Sequence, residues 1–189
     1  AYSTKFLEHM ITTLNLLKQQ VKQHSLIVEV GCGKGDFVEM IQTDGFFNIQ
    51  GYDALYEGSN PSVEKRYLNA CDKIKADLVI LRQVLEHVPN PYQFLSMLKE
   101  VFGKTRIYIE VPNKDWIVTH QTFFDISYEH VNYFSQLSLK KLFDAPTTTH
   151  GLLFDEQYQY VVADLTALNL EFNELYETKQ WQYVSFADL

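Results

Sequence analysis

Two groups of residues in this 189-residue chain have the types and spacing to do chemistry. The first is Glu29-Val30-Gly31-Cys32-Gly33-Lys34-Gly35-Asp36, followed at a distance by Asp53. Glycines accept positive φ and let a ligand approach the backbone closely. At a strand-to-helix turn of an open α/β sheet, such a loop lies where ligands bind. The dinucleotide fingerprint G-x-G-x-x-G wants its third glycine where Asp36 stands. A carboxylate there would meet a pyrophosphate that prefers backbone N–H groups, which argues against NAD. Asp53 suits a ribose diol, because a carboxylate can accept hydrogen bonds from two hydroxyls. The plainer alternative is a tight turn and an ordinary exposed aspartate. Cys32, with only Lys34 beside it, reads as a small packing residue rather than a nucleophile.

The second group pairs acids with imidazoles at Glu86-His87 and Glu129-His130. Histidine titrates near neutral pH and is the commonest side-chain base. Either pair also has a structural alternative, as a turn-orienting cap or a hydrogen-bonded loop histidine. From Trp116 to Phe134 six of 19 residues are aromatic, against 14% of the chain. A segment that apolar without a period is expected to pack as a lid on the carboxyl end of a sheet, and aromatic faces attract cations.

The elements that must position these groups follow from periodicity. Residues 3–24 carry apolar side chains at helical spacing. Leu26–Val30 is a short buried strand stopped by Gly31, Asp36–Thr43 a helix, and Asn48–Asp53 a strand ending on its carboxylate. Residues 54–75 are polar and punctuated by Gly, Asn and Pro, with a short helix around Val63–Tyr67. Asp77–Leu81 is the next strand. Pro91 opens a helix that runs to Gly103, and Arg106–Val111 is a strand ended by Pro112. Residues 113–135 show no clear element. A helix is expected over Ser138–Phe143, then two strands near Thr149–Phe154 and Gln157–Leu165 that form an antiparallel edge pair. Alternation of strand and helix from residue 26 to 111 implies parallel strands.

Composition narrows the function classes. Sixteen Lys and Arg against 24 Asp and Glu give a net charge of −8. Such a balance disfavours nucleic acid, which needs a basic face. No apolar run reaches the roughly 18 residues of a membrane span, so no membrane partner is expected. The N-terminus is not of signal-peptide type. Cys32 and Cys71 form no CxxC pair, which fits a reducing, cytoplasmic setting. Without thiolate clusters or His-Glu-x-x-His, no metal site is expected.

The spacing E-x-G-x-G-x-G, with Asp53 on the following strand, is similar to motif I of the class I S-adenosylmethionine-dependent methyltransferases. Asp77 to Pro91, with Leu85-Glu86-His87, looks like the fourth-strand motif of that superfamily. The resemblance covers about residues 25–165. It implies an α/β, Rossmann-like, doubly wound seven-stranded sheet, mostly parallel with an antiparallel edge strand. It also implies S-adenosylmethionine as cofactor, S-adenosylhomocysteine as product, and cofactor contacts from Glu29, Gly31, Cys32, Gly33, Asp53, Leu68, Arg82 and Gln83. Tyr67, Leu68 and Asn69 would lie against the adenine, with Asp72 a possible acidic contact.

Glu110-Val111-Pro112-Asn113 and Phe124 to Ser135 resemble more narrowly the sugar C-methyltransferase branch and its uncharacterised relatives. There a Glu-His pair followed by aromatic-Ser sits over the substrate, which makes His130 the expected base and Glu129 its orienting or substrate-binding partner. His87, Tyr128 and Tyr133 are expected near the substrate. The relatives' tyrosine two residues before the glutamate is Ser127 here, so no catalytic tyrosine carries over.

The expected function is methyl transfer to a small polar metabolite, with a sugar or sugar-like acceptor as the candidate. The alternatives are O- or N-methylation of a natural-product or lipid-like scaffold, and a non-catalytic cofactor-binding module. The expected division is a methyltransferase domain over 1–165, with an N-terminal helix and an aromatic lid at 113–135. Residues 166–189 would be a C-terminal tail or the start of a further domain, and the absence of an initiating Met fits an excised piece.

Overall fold

A computed structural model describes residues 3–122, 126–144 and 148–169. Seven strands make one sheet: β1 (Leu26–Val30), β2 (Asn48–Tyr52), β3 (Val63–Glu64), β4 (Leu78–Arg82), β5 (Arg106–Pro112), β6 (Thr149–Leu153) and β7 (Tyr158–Asp164), in the order β3-β2-β1-β4-β5-β7-β6. The first five pair in parallel, and β7 runs antiparallel to both β5 and β6. The antiparallel pair therefore closes one edge. The helices are α1 (Thr4–Lys18), α2 (Asp36–Asp44), α3 (Pro91–Phe102), α4 (Lys114–His120) and α5 (Gln136–Lys140).

Strand alternation divides the core between the two faces. On β4, Val79 and Leu81 join one buried cluster with Leu95 and Leu98 of α3. Leu78 and Ile80 join the other, with Leu14 and Leu17 of α1 and Phe37 and Ile41 of α2. Because both faces are covered, the central strands read as continuous apolar runs. Each fully buried Leu or Ile contributes about 1.5–3 kcal/mol of hydrophobic free energy. Asn90 caps α3 by accepting from the Gln93 N–H, and Pro91 fills the first position, where no N–H is needed.

Four local expectations need correction. The segment around Val63–Tyr67 is not a helix. Val63–Glu64 adds a two-residue strand opposite Gly51–Tyr52, too short to leave a periodicity. The first helix stops at Lys18 rather than near residue 24, and His24 sits at φ 63. Residues 113–135 contain α4, started by the Asn113 side chain accepting from the Asp115 N–H. The next helix begins at Gln136, two residues earlier than expected, because Ser135 and Ser138 form a reciprocal capping box. Leu165–Ala167 is a 3-10 turn and Leu168 bridges to Phe143; residues 170–189 of the expected tail lie outside the described residues. Among the described residues no helix is long and apolar enough to cross a membrane.

The turns after β1, β2 and β4 meet at the carboxyl ends of neighbouring strands, where open α/β sheets bind ligands.

Candidate active site

The turn leaving β1 is held in a form that only glycine takes easily. Gly31 has φ 75, and a Cβ there would stand 2.5 Å from Val84 Cγ2. Gly33 has φ 55, and a Cβ there would meet nothing within 4 Å, because its surface faces open space. Asp53 ties the turn to β2: its Oδ2 accepts from the Gly33 N–H and its Oδ1 from the Leu55 N–H, both at 2.8 Å. Each oxygen keeps a further lone pair for hydroxyl donors.

A cleft of about 500 Å³ opens over this turn, lined by Gly31, Gly33, Asp53, Leu68, Gln83 and His87 among others. Tyr67 also lines it. Asp72 does not, because its carboxylate is held at 2.8 Å by Arg66 and at 2.9 Å by the Asn69 N–H. Those two contacts, the backbone one first, keep its pKa below the usual range. A smaller, more polar pocket of about 210 Å³ continues past Gly31, Cys32 and Gly33 to Glu29, Lys34 and Arg82, with Phe6 and Met10 of α1 along it.

Behind this pocket lies a buried charged cluster. Glu110 accepts from His9 Nε2 at 3.0 Å, Thr13 Oγ1 at 3.2 Å and Tyr108 OH at 2.7 Å. Arg82 reaches Glu110 at 3.7 Å and Glu29 at 4.0 Å, its guanidinium lying 4.1 Å from the Phe37 ring centroid. Burial alone would raise the Glu110 pKa, but Arg82 and the bonds from His9 and Tyr108 outweigh it and hold it at about 2. Glu29 has no such set of donors. Burial, opposed by Arg82 and reinforced by Glu110 and Asp53, pushes it up to about 7.

Two polar side-chain atoms of residues lining the smaller pocket, Glu29 Oε2 and Gln83 Nε2, are buried without a hydrogen-bond partner among the described residues. Gln83 adopts φ 55 and donates its N–H to the Glu110 carbonyl at 2.8 Å, which fixes its backbone beside the turn. The Cys32 thiol is pushed up to about 12 by burial and by Glu29 and Asp53, so it stays protonated.

The 3-10 turn Leu85–His87, which reaches the cleft through His87, carries the expected Glu-His pair. Its Glu86 carbonyl accepts from the N–H groups of Val131 and Asn132, pinning the 126–134 segment against the end of β4. The His87 and His130 rings meet edge to face at 4.9 Å, and Tyr133 lies 6.1 Å from His130. Burial, opposed by a bond from its own backbone and reinforced by Glu110, raises the Glu86 carboxyl to about 8.

The expected residues Gly31, Gly33, Asp53, Leu68, Gln83 and His87 thus share one cleft, and Glu29, Cys32 and Arg82 line the pocket that continues it. Arg82 serves that pocket through its side chain as the hub of the buried cluster. His130 joins His87, whereas Glu129 is exposed and meets His87 through its carbonyl oxygen. Tyr128 is 92% exposed, and Tyr133 lines a separate apolar hollow with Ile117, Val118, Ile126 and Val131. Phe123 and Phe124 of the expected aromatic lid lie outside the described residues. Sequence reasoning missed His9, Thr13 and Tyr108. Their only signal was polar groups on otherwise apolar strand and helix faces.

A family model described as a methyltransferase domain matches residues 5–145. Among solved structures, the methyltransferase domain of bacterial CtHen1 superposes with a TM-score of 0.62 at 17% identity, covering 84% of this chain and 98% of that one. A SAM-dependent methyltransferase from Archaeoglobus fulgidus gives 0.61 at 15% identity, covering 86% and 95%. The plantazolicin methyltransferase BpumL, solved with a triazolic desmethylPZN analog and SAH, gives 0.55 at 18% identity, covering 78% and 67%. At these identities the likeness is one of fold. No curated protein sequence matches this one.

Proposed function

This chain belongs to the methyltransferase-domain family that matches it over residues 5–145, and on that premise we propose that it transfers the methyl group of S-adenosylmethionine to a small polar acceptor of the sugar type. The observation that carries the cofactor side is the pair of orphaned atoms beside the glycine turn. An amino-acid head bears an ammonium and a carboxylate; among the described residues Glu29 Oε2 has no donor and Gln83 Nε2 no acceptor. Both deficits fit such a head. Asp53 has lone pairs left for a ribose diol, and Leu68 offers the apolar wall a purine needs. Gly33, with open space where a Cβ would stand, leaves room for a ligand to approach the backbone.

When bound, S-adenosylmethionine supplies a methyl carbon attached to a positively charged sulfur. The chain's own contribution is alignment. The Gly31–Gly33 turn, Asp53 and Gln83 hold one side, and the segment pinned to the Glu86 carbonyl adjoins the cleft through His87. A hydroxyl or an activated carbon must lose a proton as it is methylated, and His130, beside His87, is the side-chain base we assign to it. The exposed Glu129 carboxylate is left to bind acceptor hydroxyls, with Tyr128 and Tyr133 on the same segment. The net charge of −8 supports an acceptor other than nucleic acid, and the free Cys32 and Cys71 support a reducing, cytoplasmic setting.

A second reading is favoured by one specific feature. The apolar hollow beside Tyr133, about 470 Å³, suits the greasy part of a natural-product or lipid-like scaffold. Turnover assays with S-adenosylmethionine separate the two, with formation of S-adenosylhomocysteine as the readout. Free and nucleotide-linked sugars are expected to be methylated, and His130→Ala to slow the reaction by about 10²–10⁴-fold. Turnover with apolar scaffolds only would favour the second reading. Cofactor binding with no turnover on either class would overturn methyl transfer itself.

A further inference from the structure

Three side chains of ligand type, two from the turn after β4 and one from the 126–134 segment, converge at the edge of the cleft. A carboxylate oxygen of Glu86 and one ring nitrogen each of His87 and His130 all lie within 4.8 Å of one another. Two independent features set this group apart from a chance gathering. Glu86 is 2% exposed, and its Oε2 has no hydrogen-bond partner among the described residues. Burying a carboxylate oxygen unsatisfied is costly, so the arrangement wants a positive partner.

His87 supplies the other feature. Its Nδ1 lies 2.9 Å from the Glu129 carbonyl oxygen. A carbonyl only accepts, so in the neutral ring Nδ1 carries the hydrogen and Nε2 presents a bare lone pair. Donation from the second ring nitrogen to a carbonyl is how metal-binding histidines are oriented.

We propose that Glu86, His87 and His130 hold a divalent first-row transition-metal ion with coordination positions left open toward the cleft. Two imidazoles and one carboxylate suit zinc-type ions better than magnesium or calcium, which prefer all-oxygen sites. Three protein ligands, rather than four, are the mark of a site that accepts a further ligand. Bonds of about 2.0–2.2 Å in a tetrahedron separate donors by about 3.4 Å. Loading therefore asks the group to contract by about 1 Å or a little more, through rotation of the exposed His87 ring and the half-buried His130 ring. Of the three, His87 lines the cleft, beside Val84 and Val88, and through it the group adjoins the cleft.

This inference rests on the methyl-transfer reading and refines it. An ion at this place polarises an acceptor hydroxyl and lowers its pKa. The hydroxyl proton goes to water, the oxygen pair forms the bond to the methyl carbon, and the carbon–sulfur pair passes to sulfur. With the ion bound, His130 would act as a ligand in place of the base assigned above, and its removal would still slow turnover.

The test uses the full chain, stripped with a chelator and titrated with Co²⁺ alone. Visible d–d absorption should saturate at one equivalent. His130→Gln and Glu86→Gln should each weaken binding by about tenfold or more, with circular dichroism confirming the fold. Should Glu86→Gln unfold, His130→Gln carries the test, since that residue is only half-buried. Absence of saturable absorption, or unchanged Co²⁺ binding by folded His130→Gln, overturns the site. Calorimetry with S-adenosylhomocysteine on the same stripped chain separates the two readings. If it binds while Co²⁺ does not, only the metal site falls; if it does not bind, the methyl-transfer reading falls as well.

Discussion

Adding one methyl group to the glycine turn, at two positions in turn, separates folding from binding. Gly31 and Gly33 both have positive φ, so an alanine at either pays about 1–2 kcal/mol for the left-handed backbone. About 0.4–1 kcal/mol of that is recovered because the unfolded chain is stiffer. At Gly31 the new Cβ would also stand 2.5 Å from Val84 Cγ2, about 1 Å inside ordinary carbon–carbon contact. Val84 is β-branched and stiff at χ1, so overpacking adds about 1–3 kcal/mol. At Gly33 nothing lies within 4 Å.

Urea denaturation should therefore find Gly31→Ala less stable than Gly33→Ala by about 1–3 kcal/mol. Val84→Ala should restore most of that difference in the double variant, because residues in contact are not additive. Gly33→Ala should keep its fold and lose affinity for S-adenosylhomocysteine, since its free surface faces the cleft. Equal destabilisation by the two variants, or strict additivity of Gly31→Ala and Val84→Ala, would refute the reasoning.

Three other perturbations test the site. Asp53→Ala removes two 2.8 Å braces together with the diol acceptor. With about 1.5–3 kcal/mol for a hydrogen bond to a charged group, calorimetry should show S-adenosylhomocysteine binding weakened by about 10-fold or more. Glu29, faced by Arg82, Glu110 and Asp53, holds its proton to about pH 7 when folded but releases it from about pH 4.5 when unfolded. Its contribution to stability is thus present below pH 4.5 and lost as pH rises through 7, by about 3 kcal/mol at most. Glu110, held down at about 2, contributes the opposite slope, with stability lost as pH falls from 4.5 toward 2. The Glu29→Gln minus wild-type difference in unfolding free energy should climb between pH 4.5 and 7 and then level; a flat difference would show that the carboxyl is not shifted. Iodoacetamide at pH 8 should alkylate exposed Cys71 and spare Cys32, whose thiol is pushed up to about 12, as peptide mass mapping would show.

Short-range patterns carried most of what the chain disclosed by itself. The run Leu26–Val30 and the three glycines after it are contiguous, so the strand, the turn and the start of α2 could be read directly. Asp53 followed because it directly succeeds the neighbouring strand. What stayed hidden depends on long-range pairing or on capping by one side chain. Val63–Glu64 is a strand only because Gly51–Tyr52 lies beside it. Helix α4 holds Trp116, Ile117 and Val118, residues that read as strand or loop until the Asn113 cap is seen. His9 and Glu110 are 101 residues apart, and nothing local to either announces the other. The Glu86–His87–His130 group is legible as two Glu-His pairs, but only the fold shows that Glu86, rather than Glu129, supplies the carboxylate.

The central claim is that the cleft over Gly31, Gly33 and Asp53 is built for S-adenosylmethionine and its product. Calorimetric titration of the chain with S-adenosylhomocysteine, and separately with NAD, tests it most directly. One saturable site for S-adenosylhomocysteine and no heat with NAD is the predicted result; silence from S-adenosylhomocysteine, or binding of NAD in its place, would contradict the account.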